Sequence, residues 1–428
     1  MSNYKAIVGK VDKVIPIPKA DNIQVAMVLG ESVIVSKSLE VGHVGLFFCS
    51  GTQLSLDFAG YNNLHRHVEL NHDKTKAGFF DDNRRVRAQP FMKIKSEGYF
   101  TELSALEWTG YDLSKLKVGD SFEELNGKGV CCKYINPRTK VQGAAGKKTK
   151  KKSVPTFLEH SDTAQFKYNT HRVEKGDLIS IQSKLHGTSH RSGYHEASLS
   201  LPKWKLLINK VVKVFHESEF QWLTGTRRVI LSGLTKEGFH GSDDFRYDVT
   251  NQLKPYLEKG MTVYGEICGY ANDKLIMSKH STKDLKNKAV SKKYGPEIIY
   301  KYGCVEGESR FHVYRITVTS ASGFVTEFSQ KQLVKWCVDR DILPSHDLVE
   351  PFFFDGNIEG LKELVDNLTE RNDLLTEDYH DSSQVNEGII IRIDNAEMKP
   401  IFLKNKSYLF KVMEGIASEK EVDIEDTV

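Results

Sequence analysis

The stretch Ile179-Ser180-Ile181-Gln182-Ser183-Lys184-Leu185-His186-Gly187-Thr188-Ser189 decides how the rest of the chain is read. Its first half reads as a strand that carries one lysine to a turn built on Gly187. The strand fixes the lysine, and glycine lets the backbone come close to a ligand. Such a turn can present an ammonium group to a phosphate. Alone, Lys-x-His-Gly fits an ordinary loop lysine equally well. The weight comes from stretches further along the chain, in order: Val263-Tyr264-Gly265-Glu266-Ile267, then Glu387-Gly388-Ile389-Ile390-Ile391-Arg392, then Phe402-Leu403-Lys404-Asn405-Lys406. Glu266 and Glu387 each adjoin a glycine and a strongly apolar strand. Carboxylates placed there can accept hydroxyls or hold a metal ion. Lys404 and Lys406 alternate on a candidate strand and so share a face.

These residue types suit one chemistry. A lysine in water has a pKa of about 10.4, so a nucleophilic Lys184 needs its ammonium form destabilised. Neighbouring positive charge does this, and Lys404 and Lys406 could supply it. The same cations, with magnesium or manganese, would neutralise a triphosphate and the charge building on a leaving pyrophosphate. Taken singly, each glutamate reads as a surface residue at a strand end. Taken with three lysines in one chain, the set reads as a phosphoryl-transfer site.

The collinear motifs resemble those of the covalent nucleotidyltransferases, the polynucleotide ligases and messenger-RNA capping enzymes. Lys184-Leu185-His186-Gly187-Thr188 resembles the Lys-x-His-Gly type found among ATP-dependent RNA ligases. The resemblance covers about residues 154–412 through motifs, and the N-terminal part only as architecture. It implies that Lys184 forms a covalent lysyl-AMP, with Lys406 assisting. His186 and Gly187 would complete the turn beside the α-phosphate, and Gln182 falls among the nucleotide-binding residues. Arg227 would contact the ribose, with Arg228 as its rival, and Glu266 would hold a ribose hydroxyl. Tyr314 would stack on adenine opposite Ile390, with Phe311 as the alternative because Arg315 stands where ligases commonly have an acidic residue. Glu387 would bind the metal or its waters, and Lys404 would touch the α-phosphate. Ser189 replaces an asparagine or arginine of the relatives. The implied cofactors are ATP and Mg2+ or Mn2+. The implied partner is RNA or an RNA-containing nicked duplex, and the implied reaction is sealing of 3′-hydroxyl/5′-phosphate breaks in RNA repair. A GTP-dependent capping-type transferase and a catalytically inactive RNA-binding protein are the rival readings.

Length and composition bound the rest. A chain of 428 residues exceeds one ordinary core, so two or three domains are expected. With 39% hydrophobic and 27% charged residues it reads as a globular protein rather than a disordered or membrane chain. A net charge of +3 does not itself argue for nucleic acid. The opening Met1-Ser2-Asn3-Tyr4-Lys5 lacks the pattern of a signal peptide, and no apolar run is long enough to span a bilayer. A cytoplasmic monomer is therefore expected, with no membrane partner. The six cysteines form no Cys-x-x-Cys pair, which fits reduced structural thiols.

The fold class expected is α+β. Residues 1–137 read as an OB-like β-barrel for nucleic-acid binding, 138–153 as a basic linker, 154–414 as an adenylyltransferase domain of antiparallel sheets with flanking helices, and 415–428 as an acidic tail. Gln24–Leu29 and Ser32–Val35 suggest a hairpin turning at Gly30-Glu31. Phe79-Phe80 followed by Arg84, Arg85 and Arg87 fits either base stacking with phosphate contacts or core aromatics rimmed by arginines. Lys147–Lys152 reads as a solvated tether or a polyanion contact. Lys203–Phe215 looks helical. Ser329 and Asn357 look like caps of helices running to about Val338 and Leu368. Too little chain follows Lys406 to build another barrel.

Overall fold

The computed structural model describes residues 4–18, 20–91, 94–135, 154–199, 201–231, 243–283, 285, 288–371, 385–395 and 399–414. The expected linker at 138–153, with its lysine run, and the tail at 415–428 lie outside the described residues. By packing, the chain forms two compact units. One is Met1–Lys147 with Leu285–Asn287 and Tyr408–Val428; the other is Lys148–Asp284 with Lys288–Ser407. Among the described residues no helix is long and apolar enough to cross a membrane.

The first unit is built on an antiparallel sheet. Its strands run Glu31–Ser36, Ile23–Val28, Ala6–Pro16, Val44–Cys49, Gly98–Glu102 in spatial order. The sheet curls until its ends meet: Glu97 N–H donates to Ser32 O at 2.7 Å, and Ile34 N–H to Ser96 Oγ at 3.1 Å. The result is a nearly closed, barrel-like sheet. Alternate residues point inward, so Ala6, Val8, Leu46 and Phe48 pack with Phe58 in one core. The hairpin turns one residue earlier than the sequence suggests. Val28 pairs with Glu31, and Leu29 and Gly30 take φ of 53° and 75°. These angles are those of a type I′ turn, which needs two successive left-handed residues, and Leu29 accepts that conformation beside Gly30.

Phe80 is buried in the same core and Phe79 packs against it. Arg84 donates to the carbonyls of Leu54 and Asp82, and the Arg85 guanidinium lies 4.4 Å from the Tyr134 ring centre. The aromatics of this stretch therefore serve packing, not a base-stacking surface.

The second unit is built on two large sheets, beside a two-stranded pair of His280–Ser281 with Glu297–Ile298. The first runs Ala164–Gln165, Ile401–Lys406, Gly388–Asp394, Leu178–Ser183, Phe352–Phe353. The second has Ser218–Gly225, Thr188–Ser198, Met261–Ala271, Ser309–Thr319 and Val325–Glu327 along its main path. Each sheet spends one face on its own core. Ile179, Ile181, Ile389, Ile391 and Leu403 pack on Leu361, Val365 and Leu368 of the helix Ile358–Glu370. Val263, Ile267, Val313 and Ile316 pack with Phe245 and Val249 of the helix Asp244–Leu253 and with Leu333 and Trp336 of the helix Gln330–Val338. Because strand side chains alternate, the intervening residues are left for a cleft. Both expected caps are in place. Ser329 and Gln332 form a reciprocal capping box, and Asn357 accepts from Gly360 N–H. The lysine-rich helix is shorter than the sequence suggests and spans Lys203–Val211. After Lys406 the described chain adds one short helix, Tyr408–Met413.

Candidate active site

The Lys-x-His-Gly turn is the crossing point between the two sheets of the second unit. Leu178–Ser183 lies in one sheet, Thr188–Ser198 in the other, and residues 184–187 span the gap. Lys184 N–H donates to Gly388 O at 2.9 Å, tying the turn to the neighbouring strand. Gly187 is needed here for room. A Cβ at this position would lie 2.4 Å from Ile267 O and 2.9 Å from Cys268 Sγ. Any side chain would push the turn off the second sheet. His186 N–H donates to Tyr302 Oη at 2.7 Å, and its ring meets Tyr300 edge-on with centres 4.7 Å apart.

Glu387 sits at the entry to the strand Gly388–Asp394 and is buried. Its Oε1 lies 2.7 Å from Lys184 Nζ and 3.3 Å from Lys406 Nζ, and its Oε2 lies 3.4 Å from His186 Nδ1. Burial alone would raise this carboxyl. Lys184, Lys406 and His186 outweigh burial and hold it well below the usual carboxylate range. A carboxylate therefore stands between the two lysines. Oε2 is buried, with the His186 imidazole beside it.

Strand register lays out the floor of the site. Gln182, Ile390 and Lys404 are cross-strand neighbours in one row, and Lys406 stands opposite Gly388. All point to the face left free by the core. The opposite wall comes from the second sheet, where Ser189 pairs with Glu266 and its Oγ donates to Glu266 Oε2 at 3.2 Å. Burial is the main cause that pushes the Glu266 carboxyl up to about 7. The charge of Glu387 adds to it, while Lys184, the Ser189 hydrogen bond and Arg246 oppose it. Arg246, buried in the helix behind the sheet, donates to Ser189 O at 2.9 Å and to Thr188 Oγ1 at 2.7 Å, clamping the strand that follows the turn.

A β-bulge aims Tyr314 into the same space. Tyr264 pairs with Arg315 and Gly265 with Val313, which leaves Tyr314 as the extra residue. Its hydroxyl meets His160 Nδ1 at 2.5 Å. Burial, aided by nearby arginines, lowers the His160 imidazole to about 3, so it is neutral near pH 7. Phe311 instead packs edge-on against His190, with ring centres 5.3 Å apart, and does not line the cavity. Arg227 pairs with Asp162 and lines the cavity; Arg228 lies 3.8 Å from Asp162 and does not line it.

Lys184, Lys406, Gln182, His186, Gly187, Arg227, Glu266, Tyr314, Ile390, Lys404 and Glu387 thus all line one cavity of about 300 Å³. Sequence alone does not place His160, Ser161, Thr163, Ser345 or Phe402 there, and the structure adds all of them. Phe402 could have been found, since it sits two residues before Lys404 on the same strand face. His160 carries no local signal. Arg315 also lines the cavity, and Glu327 matches its charge through two hydrogen bonds of 2.9 and 2.8 Å. Among the described residues there is no group of three or more His, Cys, Asp or Glu side chains able to hold a metal by themselves.

No protein-family model matches the sequence, and no curated protein matches it. Solved structures do match. An RNA ligase of Naegleria gruberi, as a lysine-to-methionine mutant with AMP and Mn, is 13% identical with a TM-score of 0.58, covering 95% of this chain and 97% of that one. The same ligase with PPi is 14% identical with a TM-score of 0.59 and the same coverages. A lysine-to-alanine mutant with ATP and Mn is 13% identical with a TM-score of 0.57, again covering 95% and 97%. The chain shares the fold of these RNA ligases along nearly its whole length.

Proposed function

We propose that the protein is an ATP-dependent RNA ligase that seals 3′-hydroxyl/5′-phosphate breaks, acting on nicked RNA. The observation that carries this is the convergence of Lys184 and Lys406 on one Glu387 oxygen, at 2.7 and 3.3 Å, in a cavity that Tyr314 and Ile390 also line. Further support comes from the fold shared with RNA ligases whose structures hold ATP, AMP, pyrophosphate or manganese.

In this reading Lys184 loses a proton and its Nζ attacks the α-phosphorus of ATP. An N–P bond forms, the P–O bond to the β-phosphate breaks, and pyrophosphate leaves. Lys404 and Lys406 offset the charge on the phosphates. Glu266 accepts a ribose hydroxyl, Arg227 lies toward the sugar, and adenine stacks between Tyr314 and Ile390. A 5′-phosphate oxygen of the RNA then attacks the lysyl-AMP, and the N–P bond breaks. Finally the 3′-hydroxyl attacks that 5′-phosphate, the phosphodiester forms, and AMP departs. Each step is an in-line displacement, so these residues mainly position groups and compensate charge.

The donor set suits Mg2+ or Mn2+. Such ions take one or two carboxylates and complete their shell with phosphate oxygens and water. Glu387, a buried carboxylate kept ionised by its neighbours, would hold the ion, with Glu266 lining the same cavity. When bound, the ion supplies Lewis-acid polarisation of the phosphates. The barrel-like first unit is assigned to gripping RNA, as barrels of this kind do elsewhere.

The test is labelling with α-labelled ATP and manganese, repeated with GTP, followed by sealing of nicked duplexes carrying ribose or deoxyribose at each side of the break. We expect an ATP-derived adduct and sealing that depends on a ribose 3′-hydroxyl end. Labelling by GTP in preference to ATP would instead indicate a capping-type transferase. Nucleic-acid binding without any adduct would indicate an inactive RNA-binding protein.

A further inference from the structure

We infer that Asp347 sets the nucleobase preference of the site by holding the Gln182 carboxamide with its carbonyl oxygen toward the cavity. The inference rests on the proposed nucleotide-binding reading and concerns which base the slot accepts. Gln182 lines the cavity and is the cross-strand neighbour of Ile390, one wall of the slot. A base lying between Ile390 and Tyr314 therefore presents an edge to Gln182. A carboxamide is ambivalent, since it can offer either an N–H or a carbonyl oxygen. Which one it offers depends on what holds its other end.

Asp347 holds that end. Gln182 Nε2 donates to Asp347 Oδ1 at 3.0 Å. Gln330 Nε2 also donates to both Asp347 oxygens, at 3.2 and 3.1 Å. Both oxygens of Asp347 thus act as acceptors, so only the amino end of Gln182 can face it. The backbone fixes Asp347 in turn: Ser183 N–H donates to His346 O at 3.1 Å, and Leu348 N–H to Ile181 O at 2.8 Å. With its amino end held against Asp347 through one N–H, Gln182 turns its carbonyl oxygen toward the slot as an acceptor. The exocyclic amine of adenine satisfies it. The carbonyl at the same place on guanine would set two acceptors against each other, and an unpaired polar group in an enclosed site is strongly disfavoured. Asp347 touches no substrate; it is a positioning residue.

Binding and labelling with ATP and GTP are compared for the wild type, Asp347→Asn, and Gln182→Glu combined with Asp347→Asn. The wild type should prefer ATP by about a hundredfold or more. Asp347→Asn should narrow that preference at least about tenfold, since the asparagine lets the Gln182 amide turn over. The combined variant exchanges donor and acceptor between the two positions and returns an acceptor to the slot, so it should regain the ATP preference. It also keeps the hydrogen bond, which guards against simple misfolding. An unchanged ratio in Asp347→Asn, or no recovery in the combined variant, overturns the inference. Calorimetric binding separates this from the ligase reading. A wild type that binds ATP over GTP but forms no adduct sinks that reading, and the ratio in Asp347→Asn still decides the role of Asp347. A wild type that binds neither nucleotide overturns both.

Discussion

Glu387 and Glu266 enter the same cavity from different sheets, and their surroundings drive their carboxyls in opposite directions. Both are enclosed, and burial alone would raise both. Glu387 has two lysines and a histidine around it, so compensation wins and it stays ionised. Glu266 meets a serine hydroxyl at 3.2 Å and feels the negative charge of Glu387, so burial wins and its carboxyl titrates at about 7. One sheet therefore offers a permanent anion flanked by cations, suited to phosphate and metal chemistry. The other offers a carboxyl able to accept or give up a proton near neutral pH, suited to a sugar hydroxyl. Unlike charge partners, not unlike residue types, make the difference.

The sharpest way to break this comparison is Glu387→Gln. It removes the carboxylate proposed to hold the metal ion and should cut the rate of adduct formation by about a hundredfold or more, read by single-turnover labelling. Near wild-type labelling would show that Glu387 serves only to neutralise the lysines in the resting protein. Gly187→Ala should come next. Its Cβ would meet Ile267 O at 2.4 Å, so the turn must shift off the second sheet, separating the two carboxylates. We expect a loss of about 1–3 kcal/mol in thermal or denaturant unfolding, with labelling reduced at least tenfold.

Glu266→Gln sharpens the comparison through pH. The wild-type labelling rate should fall as pH drops through about 7, because the proposed role of Glu266 as hydroxyl acceptor is filled by the ionised carboxylate. The variant should be slower by about tenfold at pH 8 and should lose that limb of the profile. Stability should carry opposite signatures. The raised Glu266 carboxyl favours the folded state below its unfolded pKa, and that contribution is lost as pH rises toward about 7. The lowered Glu387 carboxyl contributes above its unfolded pKa, and that contribution is lost as pH falls into the acid range. Because Gln mimics a protonated carboxyl, both variants should track the wild type in acid and part from it with opposite sign as pH rises: Glu387→Gln less stable above the unfolded carboxylate pKa, Glu266→Gln more stable as pH passes about 7.

Legibility in the sequence followed the range of each interaction. The lysine turn, the helix caps Ser329 and Asn357 and the alternating strands depend on residues close in sequence, and local pattern reached them. Tyr314 was legible as an aromatic on a strand, but not the bulge that aims it, because a bulge is a property of two strands in register. The hairpin at Leu29-Gly30 slipped by one residue for a related reason: leucine is seldom left-handed, and only the pairing of Val28 with Glu31 reveals the turn. The contacts of Tyr314 with His160 and of Gln182 with Asp347 join residues 154 and 165 positions apart, with no local mark on either partner. Phe79 and Phe80 show the limit of composition. An aromatic pair before an arginine cluster suits a core and a nucleic-acid surface alike, and only burial separates them.

The most direct measurement is the intact mass of the purified protein after incubation with ATP and manganese, followed by peptide mapping of any adduct. A gain of one AMP, located on Lys184 and absent from Lys184→Ala, is the expected result. An AMP on another residue, or a folded wild-type protein whose mass does not change, would contradict the assignment of this cavity as a site of covalent nucleotide transfer.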